Sequence, residues 1–574
     1  MTARRVVVAV AAALALSACS TVPTSSPTVP ITQVPTRQDT EVGIEPLAPE
    51  PGASPEDIVR GFIDASASTA RGHTVAREYL TPAAADSWAD DGGVTVIEPG
   101  FAAVTREQGV VQLTARAVGT VDQRGVFDVS GDPFTRDFAV QQVDGEWRIA
   151  DPPDGLVLLE PDFERVYDQL NAYFLDPTRE RVVPDPRYLV GGEAQPTALV
   201  QRLFEGPSPA LRSAVVNPVA GLSLRRPVTV QGSAASVDLT GLPTDPEPPL
   251  TEISAQLVWT LEQAGIRSVE VLVEGEAVVL PQTPRAQTTD DYASFDPDAV
   301  PVDAVGHYID DAGALRLADQ GDPAPGPAGE GAYRLRSAAV SADSDSGELT
   351  FMVGVGTGED GPQLVAGPYG GTLAPVYKRG DEFTRPTVAA TRSEVWTVRD
   401  GSTVVRVLPG ATPQEVDAPT LADLQPVSAL QLSPDGVRVA LVAGGTRTSL
   451  YVGTVVRGDE STVSLRDLRE VNGGLDDPID VTWLSADTLM VLADDASGAE
   501  VVPWEVGVDG WGLAEVPTSG LTGRPPVSIG AAPNREPLVS AGDDGTMWRL
   551  VGSTWITLVS GAEPFRGRAP FYPL

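Results

Sequence analysis

Cysteine, histidine and lysine are nearly absent from this sequence. Its 574 residues include one cysteine, two histidines and one lysine. A single thiol cannot form a disulfide within the chain, so the fold does not depend on intramolecular disulfides. The two histidines, His73 and His307, are too few for a histidine-rich metal site and make a nucleophile–histidine pair hard to assemble. The sequence also contains no Gly-x-Ser-x-Gly elbow and no phosphate-binding loop, so we expect no metal, no cofactor and no enzymatic activity.

Positive charge is scarce as well. The chain has 40 Lys and Arg against 79 Asp and Glu, a net charge of −39. Such a chain repels nucleic acid and anionic lipid, which excludes binding to a phosphate backbone as its main role. Its length exceeds what one hydrophobic core supports, so we expect several domains.

The first nineteen residues have the pattern of an export signal. Two arginines precede an apolar run of eleven residues, 6–16, and small residues follow. A helix of that length rises about 16 Å, well short of the roughly 30 Å hydrocarbon core, so a spanning helix is disfavoured. The stretch LSAC at 16–19 resembles the bacterial lipobox. The resemblance implies cleavage between Ala18 and Cys19, with N-palmitoyl and S-diacylglycerol groups on Cys19.

The next segment is rich in proline, serine and threonine. This composition predicts a solvated, partly polyproline-like tether with a reach of roughly 100 Å at about 3.1 Å per residue. We therefore assign 1–18 to a lipoprotein signal peptide and 19–53 to the lipidated cysteine and its tether. The folded part is expected at the extracytoplasmic face of the cell membrane, held there by lipid.

Residues 54–160 predict an α+β domain. The run SPED at 54–57 has the residues of a capped helix start, and apolar residues at helical spacing follow it. Strand-like segments come next, with Asp144-Gly145 as a hairpin turn. Helices followed by a meander resemble the cone-like fold of nuclear-transport-factor-like proteins. We interpret His73 as a surface or helix-cap residue.

Residues 180–282 predict an α/β domain. The run ALVQRLFEGPSPALRSAV, followed by VTVQGSAASVDLTG, resembles the GerMN domain of spore-germination proteins. This resemblance implies an extracytoplasmic envelope protein without established catalytic residues. We interpret Asp238 as a residue at a strand end that accepts hydrogen bonds from turn amides.

Residues 300–574 predict an all-β propeller. Similar strand pairs recur, and the equivalent apolar positions Val340, Val388, Leu430, Val481 and Ile529 are 48, 42, 51 and 48 residues apart. Repeats of alternating strands at this period are typical of propeller blades. We expect five to seven blades, with the final segment returning to close the ring.

The order of these segments resembles the LpqB family of actinobacterial lipoproteins along essentially the whole chain. The runs YLTPAAADSW and GRAPFYP add to the resemblance. It implies a non-enzymatic accessory protein that contacts the extracytoplasmic domain of the sensor histidine kinase in an MtrA–MtrB type two-component system and modulates cell-envelope homeostasis and division. Two alternatives remain: an envelope glycan hydrolase with paired carboxylates in the propeller channel, and a lipoprotein that binds peptidoglycan fragments.

Overall fold

The computed structural model describes residues 46–574, apart from residue 108 and the segments 244–247, 302–303, 344–345, 378–381, 459–461 and 522. The predicted signal peptide, the predicted lipid-attachment residue Cys19 and most of the tether lie outside the described residues. Within them, no helix combines the length and the apolar character needed to cross a membrane.

The N-terminal part places helices against a mostly antiparallel sheet. The first helix, α1 (Pro55–Ser66), begins with the capping box that the sequence predicts, in which Ser54 and Asp57 satisfy each other's backbone N–H groups. Ile58 and Phe62 on its buried face pack into the core with the sheet. The sheet order is β6-β5-β3-β1-β7, with β2 and β4 also paired to β3. The remaining elements are α2 (Thr74–Glu78), α3 (Pro82–Ser87), β1 (Val94–Ile97), β2 (Ala102–Glu107), β3 (Val110–Val121), β4 (Phe127–Val129), β5 (Pro133–Val143), β6 (Glu146–Ile149) and β7 (Leu156–Leu159).

A long hairpin connects this α+β part to the next. Helix α4 (Glu160–Val166) leads directly into β8 (Tyr167–Leu175), which pairs with β9 (Val182–Val190) over nine residue pairs. Most of both strands is buried, because the hairpin lies between the other parts of the molecule rather than on its surface.

The middle part is α/β. Helices α5 and α6 contact each other and β8, and α6 provides the crossover that the parallel pair β12–β13 requires. Gly206, with φ 92°, ends α5 at the predicted Gly-Pro stop. The elements are α5 (Gln195–Glu205), β10 (Ser223–Leu224), β11 (Thr229–Gln231), β12 (Ala234–Thr240), α6 (Leu250–Glu262), β13 (Ser268–Val273), β14 (Glu276–Ala277) and a 3-10 helix (Thr289–Phe295).

The C-terminal part contains six sheets whose inner strands contact one another in a closed ring. Each complete blade has four antiparallel strands, and its inner strand carries one of the apolar positions that repeat in the sequence. Blade 1 contains β17 (Ser337–Ala342), β18 (Leu349–Gly358), β19 (Gly361–Pro368) and β20 (Ala374–Tyr377). Blade 2 contains β21 (Thr387–Ala389), β22 (Arg392–Arg399), β23 (Thr403–Val407) and β24 (Gln414–Glu415). A 3-10 helix (Pro419–Asp423) follows blade 2.

The next three blades repeat the same topology. Blade 3 contains β25 (Val427–Leu432), β26 (Arg438–Ala443), β27 (Ser449–Arg457) and β28 (Val463–Glu470). Blade 4 contains β29 (Asp476–Trp483), β30 (Thr488–Asp494), β31 (Val501–Gly507) and β32 (Ala514–Glu515). Blade 5 contains β33 (Pro526–Gly530), β34 (Leu538–Ala541), β35 (Thr546–Val551) and β36 (Thr554–Thr557), and a small hairpin, β37 (Val559–Ser560) with β38 (Glu563–Pro564), follows it.

Blade 6 is shared between the two ends of this region. It has three strands, β15 (His307–Asp310), β16 (Leu315–Leu317) and β39 (Gly567–Phe571). Because β39 pairs with β15, the last strand of the chain closes the ring, as the sequence predicts. Beyond it, the carbonyl of Leu574 accepts a hydrogen bond of 2.8 Å from the backbone N–H of Ala342 on the inner strand of blade 1.

Candidate functional site

One arginine of the propeller reaches across the ring of inner strands. Arg385 lies just before β21 of blade 2, and its guanidinium reaches across to three other blades. Its Nη2 lies 3.1 Å from Asp480 Oδ1 and donates to the carbonyl of Val481 at 3.2 Å, both in blade 4. Its Nη1 donates to the carbonyls of Ile529 in blade 5 and Pro570 in blade 6. The guanidinium therefore links the inner strands of blades 4, 5 and 6 to blade 2.

Asp480 is held in place by more than this ion pair. Its Oδ2 accepts the backbone N–H of Ile529 at 2.9 Å, and its Oδ1 accepts that of Val481 at 3.0 Å. Burial raises the pKa of Asp480, and Arg385 and the two amides offset part of that effect. The carboxylate thus depends on Arg385 for its charge partner.

The pocket beside Arg385 is small. The cavity beside Arg385 measures about 30 Å³, room for no more than a few water molecules. Among the described residues that line it, none is aspartate or glutamate. The carboxylate pair that a glycan hydrolase requires is not brought together in this cavity. Across the described part of the chain, no group of three or more His, Cys, Asp or Glu residues is arranged to hold a metal ion.

A second constellation lies where the propeller meets the rest of the protein. Trp511, in the loop between β31 and β32, packs edge-on against three aromatic rings. Its centroid lies 5.1 Å from that of Phe127 on β4, 5.0 Å from Phe163 on α4 and 5.7 Å from Tyr188 on β9. Edge-to-face pairs of this kind add about 0.5–1.5 kcal/mol each beyond the apolar area they bury. One propeller side chain thus contacts the N-terminal part, α4 and the hairpin together.

Polar contacts reinforce the same junction. The Tyr188 hydroxyl donates to Asp509 Oδ2 at 2.9 Å, and burial raises the pKa of both groups. Asn171 Nδ2 on β8 donates to Asp487 Oδ2 of blade 4 at 2.7 Å. The Arg438 guanidinium of blade 3 donates to the backbone carbonyl of Pro184 on β9. These contacts fasten blades 3 and 4 to the hairpin, and residues 46–574 form one compact unit.

All of these contacts come from one end of the propeller. The loops 433–437 and 484–487 join first to second strands, and the loop 508–513 joins third to fourth strands. In an antiparallel blade these connections turn at the same end, which we call the docked end. The connections between second and third strands, and the segments that enter each inner strand, lie at the opposite end, which we call the open end.

Two residues interpreted from the sequence, Asp238 and His73, each contact a neighbouring group of the fold. Asp238 lies within β12 rather than at its end, but its Oδ1 does accept a turn amide, the backbone N–H of Gly275 after β13, at 2.9 Å. His73 occupies the cap position before α2, and its Nδ1 lies 2.8 Å from Asp90 Oδ2. Cys19 lies outside the described residues. Sequence reasoning did not identify Arg385 or Trp511, and the only signal at Trp511 is an aromatic residue between two glycines.

His307 is buried in blade 6 and has a partner for each ring nitrogen. Nδ1 lies 2.8 Å from the carbonyl of Val305 and Nε2 lies 2.8 Å from the Tyr369 hydroxyl, while the ring stacks on Phe571 at 5.3 Å. This pattern suits a neutral imidazole that donates through Nδ1 and accepts through Nε2. Burial lowers the pKa of His307 to about 4. His307 therefore has a structural role in blade 6, where its ring packs against the strand that closes the propeller.

We predict that His307 makes the propeller less stable in acid. Its folded-state pKa of about 4 is below the value of about 6.5 in an unfolded chain, so the unfolded state binds more protons between these values. Stability from the neutral ring is complete above about pH 6.5 and is lost as the pH falls towards 4, by up to about 3 kcal/mol. Denaturant unfolding of the wild type and of His307→Gln, which cannot titrate, should show a steeper loss in the wild type. Parallel curves for the two proteins over this range would contradict the prediction.

Three family models match the chain, each to one of its parts. The model described as the lipoprotein LpqB N-terminal domain matches 48–164, the model of sporulation and spore germination matches 171–279, and the model of the lipoprotein LpqB beta-propeller domain matches 314–573. The last match agrees with the propeller fold predicted from the repeats.

Relatives match along nearly the whole chain. Lipoprotein LpqB of Rhodococcus opacus is 32% identical over 92% of this chain and 91% of its own, and lipoprotein LpqB of Mycobacterium tuberculosis is 30% identical over 90% of each. Among solved structures, a nidogen–laminin complex overlays 47% of this chain and 98% of its own at a TM-score of 0.35 and 8% identity, too distant to bear on fold or function. The three domain matches in one order and the full-length similarity show that the chain belongs to the lipoprotein LpqB family.

Proposed function

We propose that this protein is a lipid-anchored, extracytoplasmic binding module without enzymatic activity, and that its partner is the sensor kinase of an MtrA–MtrB type two-component system. The observation that carries the non-enzymatic part is the small cavity beside Arg385, which none of the described aspartate and glutamate residues lines. The guanidinium of Arg385 lies across the ring of inner strands, and the cavity beside it has room for no more than a few water molecules. A closed propeller still offers a broad, rigid rim for contact with another protein.

The junction around Trp511 supports a binding role of this kind. It fastens the propeller to the α+β and GerMN-like parts through aromatic packing and buried hydrogen bonds. A surface on such a unit loses little conformational freedom when a partner binds, which lowers the entropic cost of association. Anchoring beside a membrane receptor also raises the effective concentration of the two proteins.

Binding to the kinase is the direct test. The full-length lipoprotein, immobilised in neutral detergent, is expected to bind the full-length kinase with a Kd in the micromolar range or tighter. The same protein after heat denaturation serves as the control for nonspecific adsorption. Absence of binding up to about 100 µM kinase would overturn the proposed partner.

We predict that the lipid anchor depends on Cys19. Replacing the only thiol with alanine removes the atom that would carry diacylglycerol. Cys19→Ala is therefore expected to lose incorporation of labelled palmitate and to leave the detergent phase when Triton X-114 extracts are separated, whereas Ser20→Ala should behave as the wild type. Labelling and partitioning that persist in Cys19→Ala would show that the anchor lies elsewhere.

A further inference from the structure

A short segment, which we call the linker, joins the middle part to the propeller and is fastened at the docked end. It comprises residues 296–301, between the 3-10 helix of the middle part and β15. The carboxylate of Asp298 accepts the backbone N–H of Ala486 in blade 4 at 2.7 Å. Two linker carbonyls accept hydrogen bonds from arginines of the hairpin and of blade 5. These pairs are Ala299 with Arg181 at 2.6 Å and Pro301 with Arg535 at 2.7 Å.

Asp298 lies among other carboxyl groups. The amide that it accepts belongs to the residue before Asp487, whose own carboxylate accepts Asn171 of the hairpin. Charged and titratable groups from the linker, the hairpin and two blades face Asp298. They are Asp296 of the linker itself, Asp435 of blade 3, Asp487 of blade 4, and Arg181 and Tyr173 of the hairpin. Most of these groups are carboxyls, so ionised Asp298 would face charges of its own sign.

Arg181 does not neutralise Asp298. Its Nη1 donates to the carbonyl of Ala299 instead, and within the described part of the chain Asp298 takes part in no ion pair. The hairpin offers a contrast, because its buried Asp185 has Nη2 of Arg187 at 2.9 Å. A carboxyl group that is partly buried, near others of its kind and without an ion-pair partner favours its protonated form.

The docked position changes how readily Asp298 binds a proton. Burial and the neighbouring aspartates raise the pKa of Asp298 to about 7, and the Ala486 amide offsets part of the effect. In a linker detached into solvent the same group would have an ordinary pKa of about 3.9. Between these values the docked linker keeps the proton that the detached linker releases. Docking is therefore strongest in acid, weakens as the pH rises and is weakest above about pH 7, the opposite of the dependence expected from His307.

We infer that the linker fastens the propeller to the middle part in a proton-dependent way. While Asp298 is neutral, its carboxyl group stays at the turn between β29 and β30, and the linker stays docked on blades 4 and 5. Once Asp298 ionises, its charge faces other carboxyls in a partly buried site, and release of the linker into water removes that repulsion. A change of pH thereby changes how firmly the propeller is held, without any ligand. This device goes beyond the proposed binding role and does not depend on the kinase.

Hydrogen exchange of the full-length lipoprotein in neutral detergent tests the inference. Asp298→Asn keeps an oxygen that accepts the Ala486 amide but cannot ionise. The ratio of the wild-type exchange rate to the variant rate at the same pH cancels the intrinsic pH dependence of exchange. For peptides that cover 296–301 and 484–488, this ratio is expected to rise by about tenfold or more between pH 5 and pH 8. The matched variant Asp290→Asn removes an exposed carboxylate of the preceding 3-10 helix, and the corresponding ratio should stay within about twofold.

A second variant keeps the test decisive if Asp298→Asn does not fold. Asp487→Asn removes a carboxylate that faces Asp298 and so lowers the pKa of Asp298 towards its ordinary value. The ratio of the wild-type exchange rate to the rate of this variant is expected to rise with pH in the same direction, by a smaller factor. Ratios that stay constant from pH 5 to pH 8 for both variants would overturn the inference. An equal rise for Asp290→Asn would overturn it as well, because the effect would then not belong to Asp298.

Discussion

Arg385→Ala is expected to lower the free energy of unfolding of the propeller by about 3–5 kcal/mol, because it leaves a buried carboxylate without its charge partner. The side chains of Arg385 and Asp480 are 11% and 13% exposed, so water cannot replace the guanidinium effectively. The variant also removes hydrogen bonds that Arg385 donates to blades 4, 5 and 6. Denaturant unfolding followed by tryptophan fluorescence measures the loss.

The stability lost in Arg385→Ala is expected to depend on pH, because the loss comes from an unpaired carboxylate. Without Arg385, burial alone acts on Asp480 and raises its pKa further, so the folded variant binds a proton more readily than the unfolded chain. The deficit relative to wild type is therefore largest at neutral pH and shrinks as the pH falls. The double variant Arg385→Ala/Asp480→Asn is expected to be more stable than Arg385→Ala, since a neutral amide replaces the unpaired carboxylate.

An exposed ion pair provides the control. Arg466 Nη2 lies 2.7 Å from Asp417 Oδ2, but the two side chains are 37% and 69% exposed. Arg466→Ala is expected to cost less than about 1 kcal/mol. If Arg385→Ala costs no more than Arg466→Ala, the guanidinium does not hold the blades together.

The fold was largely readable from the sequence because local patterns carry it. The apolar positions from Val340 to Ile529 recur at nearly constant spacing, and each lies on an inner strand at 0–4% exposure. A blade buries one such residue at the same place each time, so the repeat in the sequence reflects a repeat in space. The capping box at Ser54 and the hairpin turn at Asp144 likewise depend only on neighbouring residues.

Blade 6 was harder to predict, because its strands are not all neighbours in the sequence. Blade 6 combines β15 and β16 with β39, strands separated by about 250 residues of sequence. No local pattern states that His307 pairs with Phe571. The sequence indicated that the last segment returns to the ring, but not which strands it joins.

The candidate site depends on contacts that no sequence pattern marks. Arg385 resembles any other arginine until the ring places Asp480, 95 residues later, within 3.1 Å of it. The junction requires Phe127, Tyr188 and Trp511 from three separate regions to meet. Spacing along the chain carries information about secondary structure, whereas these sites arise from how separate domains pack.

Trp511→Ala is expected to destabilise the junction by about 3–5 kcal/mol and to loosen the propeller from the parts that precede it. The substitution leaves a cavity among Phe127, Phe163 and Tyr188 and removes three edge-to-face contacts. The wild type is expected to unfold in one calorimetric transition, because the three parts share this packing. The variant should show two transitions, with the α+β and hairpin parts melting first, and faster hydrogen exchange in β8 and β9.

A tryptophan within the same blade separates loss of coupling from loss of blade stability. Trp504 on β31 donates its indole N–H to the backbone carbonyl of Asp494, inside blade 4. Trp504→Ala is expected to lower the melting temperature of the propeller while hydrogen exchange in the hairpin stays at the wild-type rate. A single transition in Trp511→Ala with unchanged exchange in β8 and β9 would show that the aromatic cluster is not what couples the parts. In that case the hydrogen bonds of Tyr188 and Asn171 to blade 4 would have to hold the propeller in place, and Tyr188→Phe together with Asn171→Ala would then produce the split that Trp511→Ala does not.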